Sequence, residues 1–137
     1  MLRTANAVWN GSLKDGSGKV STHSGGLKDT AYSFNTRFGD GVGVNPEELI
    51  AAAHASCFSM ALSAQLGERG ITPDSVETKS VVTFENLTLT KSDLTTVVTA
   101  HGADKAKVEE AAKAAKEGCP ISKVLNLEIS LDLTVNV

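Results

Sequence analysis

The chain has no surplus of charge of either sign. Thirteen Lys and Arg against sixteen Asp and Glu leave a formal net charge of −3, which gives no footprint for nucleic acid or for an anionic membrane. No uninterrupted apolar run approaches the ~20 residues a spanning helix needs, and Met1 to Asp15 holds no apolar block of signal-peptide type. A cytoplasmic protein without membrane contact is therefore expected. Cysteine is scarce, with two residues and no Cys-x-x-Cys. His23 and His101 lie in strand-like stretches without ligand spacing, so no metal site is expected. Gly16-Ser17-Gly18 reads as a turn, since no strand-loop-helix with Lys-Ser/Thr follows it to cradle phosphate. Two cysteines in such a compartment are more often free, catalytic or redox-active than a structural bridge.

What is present is ordinary in bulk and particular in detail. A length of 137 residues, 41% of them hydrophobic, suits a single domain over residues 1–137 that buries about two-thirds of its unfolded surface. The organising stretch runs from Asn45 to Leu62, in a helix expected to end near Leu66-Gly67. Asn45 suits an N-cap, Pro46 the first helical position, and Glu47 and Glu48 the first turn, where the dipole favours negative charge. No Gly or Pro follows until Gly67, so a helix of about 20 residues is expected. Leu49, Ile50, Ala53, Cys57, Met60, Ala61 and Ala64 recur at spacings of three and four, one apolar stripe that includes Cys57.

Upstream, Ala5 to Ser12, Gly18 to Ser24 and the alternating Tyr32 to Phe38 read as three antiparallel strands, with a flexible Gly39–Val44 loop after them. Downstream, Ser75 to Phe84 and Leu87 to His101 read as a hairpin joined near Glu85-Asn86, with Lys91-Ser92-Asp93 as a bulge or an alternative turn. A second helix is expected from Asp104 to Glu117, with Val108, Ala111, Ala112 and Ala115 inward and Gly118 stopping it. Cys119 then caps a short helix opened by Pro120, and Leu127 to Val135 closes as an alternating strand. The order βββ-α-ββ-α-β with hairpins argues an α+β fold with mainly antiparallel sheets.

Few residues can carry chemistry. A buried free cysteine is usually a small hydrophobe, and that plain reading stands for Cys57. Cys119, however, begins a helix, where free N–H groups stabilise a thiolate, so the pair also suits a two-cysteine redox cycle. His54, three residues before Cys57, either packs in the interior, polarises the thiol or binds metal with it; packing is the favoured reading. Arg37, beside Phe34 and Phe38, either snorkels outward or is held inward for a reason. Glu47-Glu48 is by itself only charge complementing the dipole.

The run Asn45-Pro46-Glu47-Glu48-Leu49, then Ala-His-Ala-Ser-Cys57-Phe-Ser-Met-Ala-Leu, then Gly118-Cys119-Pro120-Ile121-Ser122 resembles the OsmC/Ohr family of thiol peroxidases. The segment Phe34-Asn35-Thr36-Arg37-Phe38 looks like the OsmC branch. The resemblance implies an OsmC-like α+β fold, with sheets wrapped around long central helices in an intertwined homodimer. It implies reduction of organic hydroperoxides, and of hydrogen peroxide less well, in oxidative and osmotic stress defence, with no metal, haem or flavin cofactor. Cys57 matches the peroxidatic cysteine and Cys119 the resolving one, which together form an internal disulfide. Arg37 matches the arginine that contacts the thiolate, and Glu47 the glutamate that pairs with it. A dithiol, such as a lipoylated protein, is the implied reductant.

Physical reasoning agrees with those roles. Burial in mid-helix raises a thiol pKa, and an arginine offsets it with a permanent charge and two donors. Phe34, Phe38, Phe58 and Met60 would form an apolar pocket for an alkyl hydroperoxide. Two alternatives stay open, a hydrolase with a Cys57-His54 pair and a non-catalytic ligand-binding dimer. Glu47 and Cys57, ten residues apart on one helix, are separated by about 15 Å of rise. Glu47 is therefore expected to serve the Cys57 of a second subunit.

Overall fold

A computed structural model describes all residues, Met1–Val137, and the chain divides into two units, Met1–Leu49 and Ile50–Val137. The first begins with strand β1 (Ala5–Asn10), which turns back into β2 (Ser17–Thr22), and β2 pairs in turn with β3 (Thr30–Tyr32), all antiparallel. Gly18 lies opposite Trp9 and Tyr32 in this ladder. The two rings sit 5.5 Å apart across it, and a Cβ at Gly18 would run into the Tyr32 ring. Only glycine lets the rings close over the strand.

The alternation of Tyr32 to Phe38 misleads. Strand β3 ends at Tyr32, and Phe34–Phe38 forms a short helix, α1. Ser33 caps it through a reciprocal pair of hydrogen bonds. The Thr36 N–H donates to Ser33 Oγ at 3.2 Å, and the Ser33 N–H donates to Thr36 Oγ1 at 2.8 Å. Such a capping box satisfies two orphan donors and outweighs a short period-two pattern. Arg37 is therefore a helix residue, and Phe34 and Phe38, four apart, meet on one face of α1 with ring centroids 4.7 Å apart. The following loop is pinned at its far end, where the Val44 N–H donates to the Ala31 carbonyl at 2.9 Å. At Gly43, with φ of 145°, a side chain would collide with that same carbonyl.

Helix α2 (Pro46–Glu68) starts as its sequence demands. The Glu48 N–H donates to Asn45 Oδ1 at 2.8 Å, and the Asn45 N–H donates to Glu48 Oε1 at 3.1 Å, a second capping box. The buried face differs from the expected stripe. His54, Phe58, Leu62 and Leu66 are the buried positions, whereas Met60 is 75% exposed and Ala53 and Ala64 are also exposed. Apolar residues are spread around the helix, so no single stripe can be read, and Phe58, Leu62 and Leu66 take the inner face with His54. By length and composition α2 could also cross a bilayer, with a mean hydropathy of 1.4, contrary to the expectation from the sequence. Core helices of soluble proteins pass the same test.

In the second unit, β4 (Ser75–Glu85) and β5 (Thr88–Thr99) form the expected hairpin. Asn86 and Leu87 turn the chain with φ of 51° and 57°, the left-handed pair that a tight hairpin of this hand requires. Lys91-Ser92-Asp93 pairs continuously with Val81–Thr83; the expected irregularity falls one residue earlier, at Thr90 of β5, which is skipped where the partners pass from Thr83 to Phe84. Helices α3 (Lys105–Gly118) and α4 (Pro120–Val124) follow, and β6 (Glu128–Asn136) pairs parallel to β5. That one parallel pairing follows from the helical crossover before it. The core gathers Phe58, Leu62 and Leu66 of α2, Leu94 and Val98 of β5, and Val108, Ala111, Ala112 and Ala115 of α3. Cys119 belongs to it, and Ile129, Leu131, Leu133 and Val135 of β6 pack against it.

Candidate active site

Gly118 ends α3 and Pro120 opens α4, leaving Cys119 at the junction outside helical backbone geometry. That break aims its side chain at α2. The Cys57 and Cys119 sulfurs lie 3.1 Å apart, hydrogen-bonded and unbridged. Cys57 is half-buried, and Cys119 has no exposed surface. Burial pushes the Cys57 thiol up, and its hydrogen bond to Cys119 pushes it further, against a lowering contact from the Ile121 N–H. Burial pushes Cys119 up too, but the Ser122 N–H, Cys57, the Ser122 hydroxyl and the Ile121 N–H together outweigh it, and its pKa falls below the usual thiol value. Of the two, Cys119 at the head of α4 is therefore the easier to ionise and Cys57 the harder.

Beside the pair lies His54, with no exposed surface. Its Nδ1 is 2.6 Å from Ser92 Oγ and its Nε2 is 2.8 Å from Ser122 Oγ. Ser92 Oγ is in turn 2.9 Å from Ser80 Oγ. Burial holds the imidazole below its ordinary pKa. Sequence reasoning placed His54 in the interior and missed Ser92 as its partner. The available signal was a serine at an inward position of an alternating strand.

In the first unit, Arg37 and Glu47 form an ion pair. Arg37 Nε and Nη2 both donate to Glu47 Oε1, at 3.0 and 2.7 Å. The Arg37 guanidinium also stacks 5.5 Å from the Phe38 ring centroid, a cation–π contact. A cavity of about 230 Å³ opens here, lined by Trp9, Tyr32, Phe34, Arg37 and Phe38 among others. Its walls are aromatic with one cation. Of the four expected pocket residues, Phe34 and Phe38 line this cavity. Phe58 is instead wholly buried in the core, drawn there by its size, and Met60 lies exposed on α2.

The family described as "OsmC-like protein" matches residues 39–134. The chain is 48% identical over 130 residues to Peroxiredoxin OsmC of Escherichia coli (strain K12), covering 92% of this chain and 91% of that one. It is 33% identical over 120 residues to the organic hydroperoxide resistance protein OhrB of Bacillus subtilis (strain 168), covering 85% and 88%. An organic hydroperoxide resistance protein OsmC from Legionella pneumophila superposes with a TM-score of 0.70 at 27% identity, covering 100% and 99%. The chain belongs to the OsmC/Ohr family, and its α+β fold of two three-stranded sheets and a long helix is the OsmC-like fold.

Proposed function

We propose that this chain is a cysteine-based peroxidase that reduces organic hydroperoxides. The observation that carries the reading is the pair of free sulfurs 3.1 Å apart, in a chain whose relatives are named for peroxide chemistry. Cys57 is the attacking sulfur because it is the half-exposed member, although Cys119 is the easier to ionise. The two facts fit together. Cys119 accepts the Cys57 proton, and a cation brought to Cys57 completes the transfer. Arg37 is that cation, held in position by Glu47.

The thiolate of Cys57 attacks the outer peroxide oxygen, the O–O bond breaks, and the alcohol leaves with a proton. Cys57 is then a sulfenic acid. Cys119 attacks its sulfur, expels water, and closes an internal disulfide before over-oxidation can proceed. The sulfurs need only approach from 3.1 Å to the bond length of about 2.05 Å. A dithiol such as a lipoylated protein reopens the bridge, in a reducing compartment such as the cytoplasm. The aromatic cavity at Arg37 suits an alkyl or aryl hydroperoxide better than hydrogen peroxide.

The working unit is a homodimer. Helix α2 leaves Ala52, Ala53, Met60 and Ala64 exposed, only 22% of its most apolar stretch is buried within the chain, and a second copy would cover the rest. Glu47, about 15 Å along α2 from Cys57, then serves the partner's thiol and brings Arg37 with it. A Cys-His hydrolase fits less well, because both nitrogens of His54 are taken by serines. Consumption of an organic hydroperoxide with dithiol as reductant tests the function. No turnover above that of free dithiol would reject it.

A further inference from the structure

His54 is the buried titratable group that the reaction above leaves without a part. Two serines satisfying a core histidine would be ordinary alone. Here one of those serines, Ser122, stands in the first turn of α4, three residues after the Cys119 that begins it, and its hydroxyl helps lower the Cys119 thiol. The other, Ser92, continues to Ser80, which is half-buried at the sheet. Ser122, His54, Ser92 and Ser80 thus stand in one hydrogen-bonded line drawn from α4, α2, β5 and β4, which ends in the turn that Cys119 begins.

We propose that Ser122 and His54 form a proton relay for Cys119 in the disulfide-forming step, an inference that rests on the peroxidase reading above. Ser122 has one hydroxyl proton, so its two partners cannot both receive it. With the His54 proton on Nδ1, donated to Ser92, the Ser122 hydroxyl donates to Nε2 and its oxygen accepts the Cys119 thiol proton. With a proton on Nε2, the Ser122 hydroxyl turns to donate to the Cys119 thiolate. The two arrangements match the two states Cys119 must pass between.

In the forward step the Cys119 S–H proton moves to Ser122 as the Ser122 proton moves to His54 Nε2, giving thiolate and imidazolium. The thiolate attacks the sulfenic sulfur of Cys57, the S–S bond forms and the S–O bond breaks. The departing hydroxide takes the proton back through Ser122, and water leaves. Cys57 is reduced from sulfenic acid to disulfide, Cys119 is oxidised from thiol to disulfide, and no net proton is consumed. Burial makes the imidazolium short-lived, which favours return of the proton. In this relay Ser122 exchanges its proton with a reacting sulfur and is catalytic; His54 acts through it and is a positioning residue.

The test is rapid mixing of the reduced protein with one equivalent of cumene hydroperoxide, followed by quenching. Trapped sulfenic acid and disulfide are then counted by mass. In Ser122→Ala the disulfide-forming rate should fall at least tenfold more than the rate of the first oxidation. It should recover between about pH 7 and 9, as Cys119, whose facing titratable neighbours are Cys57 and His54, ionises without help. Ser122→Thr, which keeps a hydroxyl, should restore most of the rate. His54→Gln can hold the Ser122 hydroxyl without taking up its proton, and should show the same slow closure. Parent-like closure in either Ser122→Ala or His54→Gln, or slow closure in Ser122→Ala that pH does not repair, overturns the relay. If the parent protein itself loses no thiols, the peroxidase reading fails instead.

Discussion

Two hydrogen-bonded thiols 3.1 Å apart shift each other's ionisation, so neither cysteine can be understood alone. The roles proposed for them separate under mutation. Cys57→Ser should abolish peroxide reduction, whereas Cys119→Ser should permit one turnover and then carry Cys57 to sulfinic acid under excess peroxide. Mass spectra showing unmodified Cys57 after that treatment would reject the assignment. Arg37→Ala should move the alkylation-versus-pH curve of Cys57 upward by about one pH unit or more, since a cation near a thiolate lowers its pKa by that order. Arg37→Lys should recover only part, because a point charge cannot serve sulfur and oxygen together. A third prediction concerns His54, whose pKa is lowered from 6.5 by burial. Below about pH 6.5 the unfolded chain binds a proton there that the folded chain refuses. Stability from this group is therefore complete above that pH and is lost as pH falls toward the lowered folded value. Urea midpoints should drop between about pH 7.5 and 5.5, and drop less in His54→Gln. At this scale the pairings of Cys57 with Cys119 and of Arg37 with Glu47 were legible because ordered motifs carry them. Ser92 was not, because an inward serine on a strand is recognisable only once its partner 38 positions away is known.

Elements were legible where a cap and a long pattern agreed. Helix α2 starts at Pro46 because Asn45 and Glu48 close a capping box, and α3 ends at Gly118 before the break that presents Cys119. Helix α1 was not legible. Five residues are too few for a helical period to show, and the deciding contact is the Ser33–Thr36 box. The inner face of α2 was hidden for the opposite reason, since its apolar residues are spread around the helix and no one stripe stands out. Asn45→Ala should cost about 1 kcal/mol, the usual worth of an N-cap. It should also loosen the start of α2, where Asn45 Nδ2 donates to the Thr36 carbonyl at 3.2 Å. Equilibrium unfolding in urea measures the cost, and an unchanged midpoint would contradict the capping role.

At the scale of the whole molecule, the open question raised by the fold is what covers the apolar outer side of α2. In the proposed dimer a second copy does so, an assembly that the family resemblance implied and for which the Glu47–Cys57 separation along the helix gave a geometric reason. Met60→Glu places a charge on that side, and should shift the protein from dimer to monomer in sedimentation while sparing the fold of each chain. Co-refolding a Glu47→Ala chain with a Cys57→Ser chain should return activity through heterodimers that hold one complete site. Confirmed heterodimer without activity above the parent variants would end the shared-site idea. The central claim, that Cys57 and Cys119 are one redox couple, is tested most directly by counting thiols. One equivalent of cumene hydroperoxide added to the reduced protein should remove two free thiols per chain and leave a Cys57–Cys119 disulfide that dithiothreitol reverses. Two thiols still free after complete mixing, or one lost with no internal bridge, would contradict it.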